Sequence, residues 1–148
     1  MDPLSTFMAY AADFELSYTD DDWTRVRNHF AEDVVYEVKA ESFGCKLVGR
    51  EAIVAGLKKS LDGFDRRFDT REIELVGEPK IDGEVLSAAW KVHYAKAGYD
   101  PFTLRGSSTA RCVDGKVLHL MDVYELSAEN EFAEWRRSND LDVNPAYT

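Results

Sequence analysis

The sequence predicts an α+β fold in which helices come first and a curved antiparallel sheet follows. Three observations carry that prediction. Apolar residues recur at helical spacing up to Phe30 and again from Ile53 to Phe64. From about Thr70 the period changes to two. Two Asp-Gly pairs, Asp82-Gly83 and Asp114-Gly115, then sit between alternating runs, where a tight primed turn joins antiparallel strands.

The first helix opens with Asp2 as N-cap and Pro3 at the first helical position, where its missing N–H costs nothing. Leu4, Phe7, Met8, Ala11 and Tyr18 share one face, with Phe14 at its edge. The acidic run Asp20 to Asp22 ends this helix and starts a second, striped by Trp23, Val26 and Phe30. Val34 to Lys39 reads as a strand, with Val34, Tyr36 and Val38 on one face and Val35, Glu37 and Lys39 on the other. A loop from Ser42 to Gly49 leads to a third helix from Glu51, which carries Ile53, Leu57, Leu61 and Phe64 on one side and Gly63 near its end. Strands follow near residues 70 to 77, 84 to 96, 102 to 113 and 116 to 125, the middle pair joined by the Gly98 to Pro101 loop. Ser127 is expected to cap a short helix bearing Phe132 and Trp135, followed by a loosely held polar tail containing Pro145.

A chain of 148 residues, 45% hydrophobic and without a linker or repeat, predicts one domain over residues 1–148 with one core and room for a cavity. The net charge of −10 repels phosphate backbones and anionic lipid headgroups, which argues against nucleic-acid and membrane-surface partners. No apolar run approaches the ~20 residues that span a bilayer, and Met1 to Tyr10 lacks the pattern of a secretion signal, so a cytoplasmic location is expected. In that compartment Cys45 and Cys112 are reduced packing residues.

The stretch Tyr18 to Val38 (YTDDDWTRVRNHFAEDVVYEV), then Gly49-Arg50-Glu51-Ala52-Ile53, then Asp114 to Leu118 running on to Met121-Asp122-Val123, resembles in order and spacing the nuclear transport factor 2-like superfamily. Within it the chain is most similar to the polyketide-cyclase-like (SnoaL-like) branch, and it also resembles the scytalone-dehydratase-like branch. The resemblance implies a cystatin-like cone in which a curved sheet and helices enclose an apolar pocket for a small molecule. It implies a dimer and no cofactor. The superfamily includes isomerases, dehydratases, cyclases and epoxide hydrolases as well as binding and adaptor proteins, so the site must be argued separately.

Strand alternation places Trp90, Val92 and Tyr94 on one face, and Leu118, Leu120, Asp122 and Tyr124 on another, both expected to look inward. Asp122 is then an acid on an apolar face, where desolvation raises its pKa toward proton exchange near neutrality. By resemblance it stands where the polyketide-cyclase branch has a general acid/base, although that branch often has a His two residues earlier, where this chain has Leu120. The competing reading makes Asp122 a structural carboxylate bonded to an Arg or to backbone. Glu15 falls amid the apolar face of the first helix and is expected to lie at its edge or to pair with a base.

Tyr18 matches a substrate-orienting tyrosine of the scytalone-dehydratase branch, but Thr19 replaces the Asp that follows it there, and Arg71, Ser107 and Ser108 stand around the places of its histidines. Arg71 and Arg105 are suited to bind a carboxylate or enolate oxygen, with alternation turning Arg105 outward. The ketosteroid-isomerase pattern is broken at Phe14 and Val38. Phe14, Tyr36, Phe64, Trp90 and Tyr94, with Leu120 and Tyr124, are expected as pocket wall or core.

His29, His93 and His119 show no metal-ligand spacing, and Gly106-Ser107-Ser108 is not a nucleophile elbow. Val117, His119, Met121 and Val123 form the opposite face of the last strand, a mixed surface suited to a homodimer through the sheet. Two functions remain. One is a cofactor-independent acid/base enzyme acting on a small apolar cyclic or aromatic carbonyl compound, with Asp122 as acid/base and Tyr18 or Tyr36 orienting the substrate. The other is a non-catalytic small-molecule-binding or assembly domain.

Overall fold

In a computed structural model describing residues 1–148, helix α1 (Pro3–Asp20) starts where the Ser5 N–H donates to the Asp2 carboxylate at 2.8 Å. It ends where Asp21 turns left-handed at φ 60° and returns its N–H to Ser17. Its buried positions are Thr6, Tyr10 and Ser17. The stripe Phe7, Met8, Ala11 and Phe14, seen in the sequence as the apolar face, instead lines a cavity.

Helix α2 (Thr24–Asn28) is one turn shorter than expected, and Phe30 opens strand β1 (Phe30–Lys39) four residues early. The reason lies in pairing: the Val117 N–H donates to the His29 carbonyl, and Phe30 sits beside Val117 in a ladder. Residues expected as loop form β2 (Cys45–Val48), an edge strand antiparallel to β1. Helix α3 (Arg50–Gly63) leads through a 3₁₀ turn (Asp65–Arg67) to β3 (Thr70–Asp82), β4 (Val85–Ala95), β5 (Phe102–Val113) and β6 (Lys116–Val123). Strand β3 runs past residue 77 because Gly77, at φ 73°, takes up a register shift between Val76 and Lys80. Helix α4 (Leu126–Ser138) begins before Ser127, which therefore lies inside the helix and does not cap it.

The six strands form one sheet in the order β2-β1-β6-β5-β4-β3. The second half is the expected meander, and the fold is the α+β, cystatin-like arrangement of a curved sheet against helices. One pairing is not antiparallel: β1 runs parallel to β6, so that Tyr36 is level with Leu120 and Val38 with Asp122. Strand β6 also carries a bulge. Cys112 pairs with Val117 but its neighbour Arg111 pairs with His119, leaving Leu118 as the extra residue. The bulge flips the alternation, so Val117 is fully buried in the core and does not share the outer face with His119. By the same shift Leu118 leaves the inner face while Leu120 and Asp122 keep it.

Two apolar clusters flank the interior, one centred on Tyr10, Phe30, Val34 and Ile53, the other on Phe64, Phe68, Trp90 and Trp135. The segment after α4 is docked rather than loose. Val143 is 2% exposed, the Asn144 N–H donates to Gly63 O at 2.8 Å, and Ser60 Oγ donates to Pro145 O at 2.9 Å. No helix is long and apolar enough to cross a membrane.

Candidate functional site

A cavity of about 230 Å³ lies between α1, α3 and the concave face of the sheet. Of its 26 lining residues 19 are hydrophobic, so each polar group on the wall carries a desolvation cost that only a partner offsets. Met8, Ile73 and Leu75 line it while remaining 43%, 51% and 43% exposed, so the cavity opens to solvent between α1 and β3.

Asp122 is one of two polar poles. Tyr36 Oη donates to its Oδ2 at 2.5 Å, Ser108 Oγ donates to its Oδ1 at 2.6 Å, and Trp90 Nε1 donates to Ser108 Oγ at 2.9 Å. Strand register positions this chain of donors, because Ser108 is paired directly with Asp122 across β5 and β6. Neither an arginine nor a backbone N–H holds the carboxylate; both of its partners are hydroxyls. Burial pushes its pKa up, and the Ser108 and Tyr36 hydroxyls pull part of the way back. The carboxylate lies on a predominantly apolar cavity wall, so desolvation dominates.

Phenols crowd this pole. Tyr10, Tyr124 and Tyr147 join Tyr36 on the wall, and burial raises each hydroxyl's pKa, that of Tyr147 to about 12. All four therefore remain neutral donors. Trp90 reaches its place because Gly106 has no side chain: a Cβ there would lie 2.6 Å from the indole.

The second pole is Arg71, whose side chain is 6% exposed. Its Nε donates to Asp65 Oδ2 at 2.7 Å and its Nη1 to both Glu15 oxygens at 2.8 Å. Tyr94 Oη donates to the same Asp65 oxygen at 2.9 Å. Burial pulls the guanidinium's pKa down, but Asp65 and Glu15 outweigh it and the net direction is up. Asp65 is raised, by burial first and with Arg71 opposing. Two carboxylates already surround this guanidinium, which makes it a poor receptor for a further anion.

Asp122, Phe14, Tyr36, Phe64, Arg71, Trp90, Tyr94, Leu120 and Tyr124 all line the cavity, and so does Glu15. Tyr18 does not. It lies one turn beyond Phe14 on α1, under the Arg71 guanidinium at 5.3 Å, and the phenol that reaches Asp122 is that of Tyr36. Arg105 turns outward and pairs with Glu131 at 2.8 Å. Sequence reasoning missed Tyr10, Phe43, Asp65, Ser108 and Tyr147 as wall residues. The three histidines each pair with a separate carboxylate, Asp13, Glu74 and Glu37, and no group of His, Cys, Asp or Glu is arranged to hold a metal ion.

A family model described as "SnoaL-like domain" matches residues 11–120. No curated protein sequence matches the chain. Among solved structures, TerC co-crystallised with polyporic acid is similar over 89% of this chain and 98% of its own, at 17% identity and a TM-score of 0.65. A protein with a ketosteroid isomerase-like fold from Catenulispora acidiphila, in complex with trimethylamine, covers 86% and 90% at 18% identity and a TM-score of 0.63. A polyketide cyclase-like protein from Xanthomonas campestris pv. campestris covers 84% and 91% at 19% identity and a TM-score of 0.59. At these identities the likeness is one of fold.

Proposed function

The chain belongs to the SnoaL-like domain family, and from that premise we propose that it is a cofactor-independent acid/base enzyme of the isomerase, cyclase or lyase type. Its substrate is a small apolar cyclic or aromatic carbonyl compound. The observation that carries this reading is a carboxylate with a raised pKa and no cationic partner, facing an apolar cavity among neutral phenols. Asp122 takes a proton from the carbon next to the carbonyl. As it does so its hold on the Tyr36 hydroxyl weakens, and that hydroxyl turns to the developing enolate oxygen, where a preorganised donor is most effective. Structures of this fold crystallised with polyporic acid and with trimethylamine support the reading that the chain binds a small molecule.

The test is deuterium exchange at the carbons flanking the carbonyl of 2-tetralone in D₂O, followed by NMR. The native chain should accelerate exchange, and Asp122→Asn should remove on the order of 10²-fold or more of that acceleration while the ketone still binds. Exchange that survives the substitution removes Asp122 from the chemistry.

One observation favours the second reading, a binding domain without chemistry: both oxygens of Asp122 already accept internal hydrogen bonds. Ketone binding with no exchange above the solvent rate would decide for it. We further infer a homodimer through the convex sheet face around Val35, Met121 and Val123, for which a monomer by sedimentation at micromolar concentration is the contrary result. We infer a cytoplasmic location, a compartment in which Cys45 and Cys112 stay free thiols.

A further inference from the structure

We propose that the segment after α4, residues 139–148, is a built wall of the ligand site, and that it presents Tyr147 as a ligand-contacting residue that limits the length of the molecule admitted. This rests on the cavity being the ligand site, as proposed above, but not on proton transfer at Asp122.

Helix α3 is cut back where the segment crosses it. A Cβ on Gly63 would lie 2.5 Å from the Asn144 carbonyl oxygen, and one on Gly56 would lie 3.2 Å from the Tyr147 carbonyl oxygen and 2.5 Å from Leu47. Glycine inside a helix costs about 1 kcal/mol relative to alanine, and here the close approach of a second backbone offsets that cost. Between the two notches the segment is tied by the bonds Asn144–Gly63 and Ser60–Pro145, and by Ala146 N–H donating to its own Asn144 side chain at 3.0 Å. Without helix or strand of its own, the segment is held by these ties, by buried Val143 and, at its start, by buried Asn139, which accepts from Asp100 N–H at 2.9 Å and donates to Trp135 O at 3.0 Å.

What the ties position is the Tyr147 ring. It lines the cavity and stands edge-on to Tyr36, with centroids 5.6 Å apart at 81°. Tyr36, Tyr124 and Asp122 line the same cavity, so the Tyr147 ring stands on the wall at the Asp122 pole. Burial keeps its hydroxyl a neutral donor, and the group it suits is an oxygen acceptor on a largely apolar ligand.

The test compares binding of 2-tetralone and the longer 4-phenylcyclohexanone by ligand-observed NMR, with circular dichroism and melting temperature as controls on folding. The native chain should prefer 2-tetralone. Tyr147→Phe should weaken 2-tetralone binding by about 2- to 10-fold, the worth of one hydrogen bond, and leave the order unchanged. Tyr147→Ala should shift the preference toward the longer ketone by about 10-fold, as loss of a ring opens that end. Gly63→Ala, which does not touch the cavity, should reproduce the shift by lifting the segment off α3. If one of these two variants fails to fold, the other decides the length limit; if both fail, Tyr147→Leu, which shortens the side chain but keeps it apolar, takes their place. The proposal is overturned if the folded variants bind both ketones as the native chain does, or if the native chain binds neither. Absent deuterium exchange of a bound ketone would remove the proposed chemistry and leave this assignment standing.

Discussion

The phenol of Tyr36 reaches Asp122 diagonally across the parallel seam of the sheet, closing a 2.5 Å hydrogen bond between residues 86 apart in the chain, while Val38 is the strand neighbour of Asp122. That bond and its Ser108 counterpart favour the ionised carboxylate against the larger effect of burial. Tyr36→Phe and Ser108→Ala should each raise the pKa of Asp122 further. A base works ionised, so the midpoint of the pH–exchange profile should move to higher pH in both. An unmoved midpoint would mean that Asp122 is not the titrating base.

Stability should carry the same signature with opposite sense. Burial raises Asp122 above the ordinary carboxyl range, so the folded chain keeps this proton to a higher pH than the unfolded chain does. The folded state then binds more protons, and stability falls as pH climbs from about 3.9 through the folded value. Asp122→Asn should therefore be more stable than the native chain in urea titrations at pH 7, with the difference shrinking toward pH 4. A difference that is constant with pH would contradict the assigned shift.

Breaking the Arg71 cluster from its two sides should give unequal results. Arg71→Ala leaves Asp65 buried without its cation and should cost about 3–5 kcal/mol. Glu15 is 41% exposed at the side chain, so Glu15→Gln should cost under about 1 kcal/mol. Equilibrium denaturation of the two variants measures both; equal losses would mean that the cluster acts as a surface pair.

Gly106→Ala tests the seat of Trp90. The added methyl would meet the indole at 2.6 Å and the Val123 carbonyl oxygen at 2.8 Å. Overpacking of this kind costs about 1–3 kcal/mol. Because the indole also bonds Ser108, near-ultraviolet circular dichroism and tryptophan emission should change along with the melting temperature.

Periodicity made the meander, the two Asp-Gly turns and the inward faces of β1 and β4 readable, since each depends on residues close in sequence. Asp122 was readable as an acid among aromatics for the same reason. Its partner was not. Counting back from the Asp114-Gly115 turn with Lys116 opposite Val113 puts Met121, not Asp122, opposite Ser108; only the extra residue Leu118 brings the serine and the carboxylate level. The same bulge moved Val117 from the expected outer face into the core. Asp65 lies in a 3₁₀ turn and Tyr147 in a segment with no repeat, so neither left a periodic trace. The α1 stripe was read correctly as apolar, but lining a cavity and filling a core produce the same sequence pattern. Short β2 and the early start of β1 are decided by pairing with distant strands, which local propensity does not encode.

The parallel seam between β1 and β6 bears also on how the chain acquires its shape. Hairpins β3–β4, β4–β5 and β5–β6 close over short loops, whereas β1 has to wait for a partner that emerges some eighty residues later during synthesis. Until then the hydrophobic inner face of β1 has only β2 and the early helices to cover it. Pulse-labelled hydrogen exchange during refolding should thus protect amides of β4 and β5 before those of β1, and the junction that joins Tyr36 to Asp122 should be among the last to set.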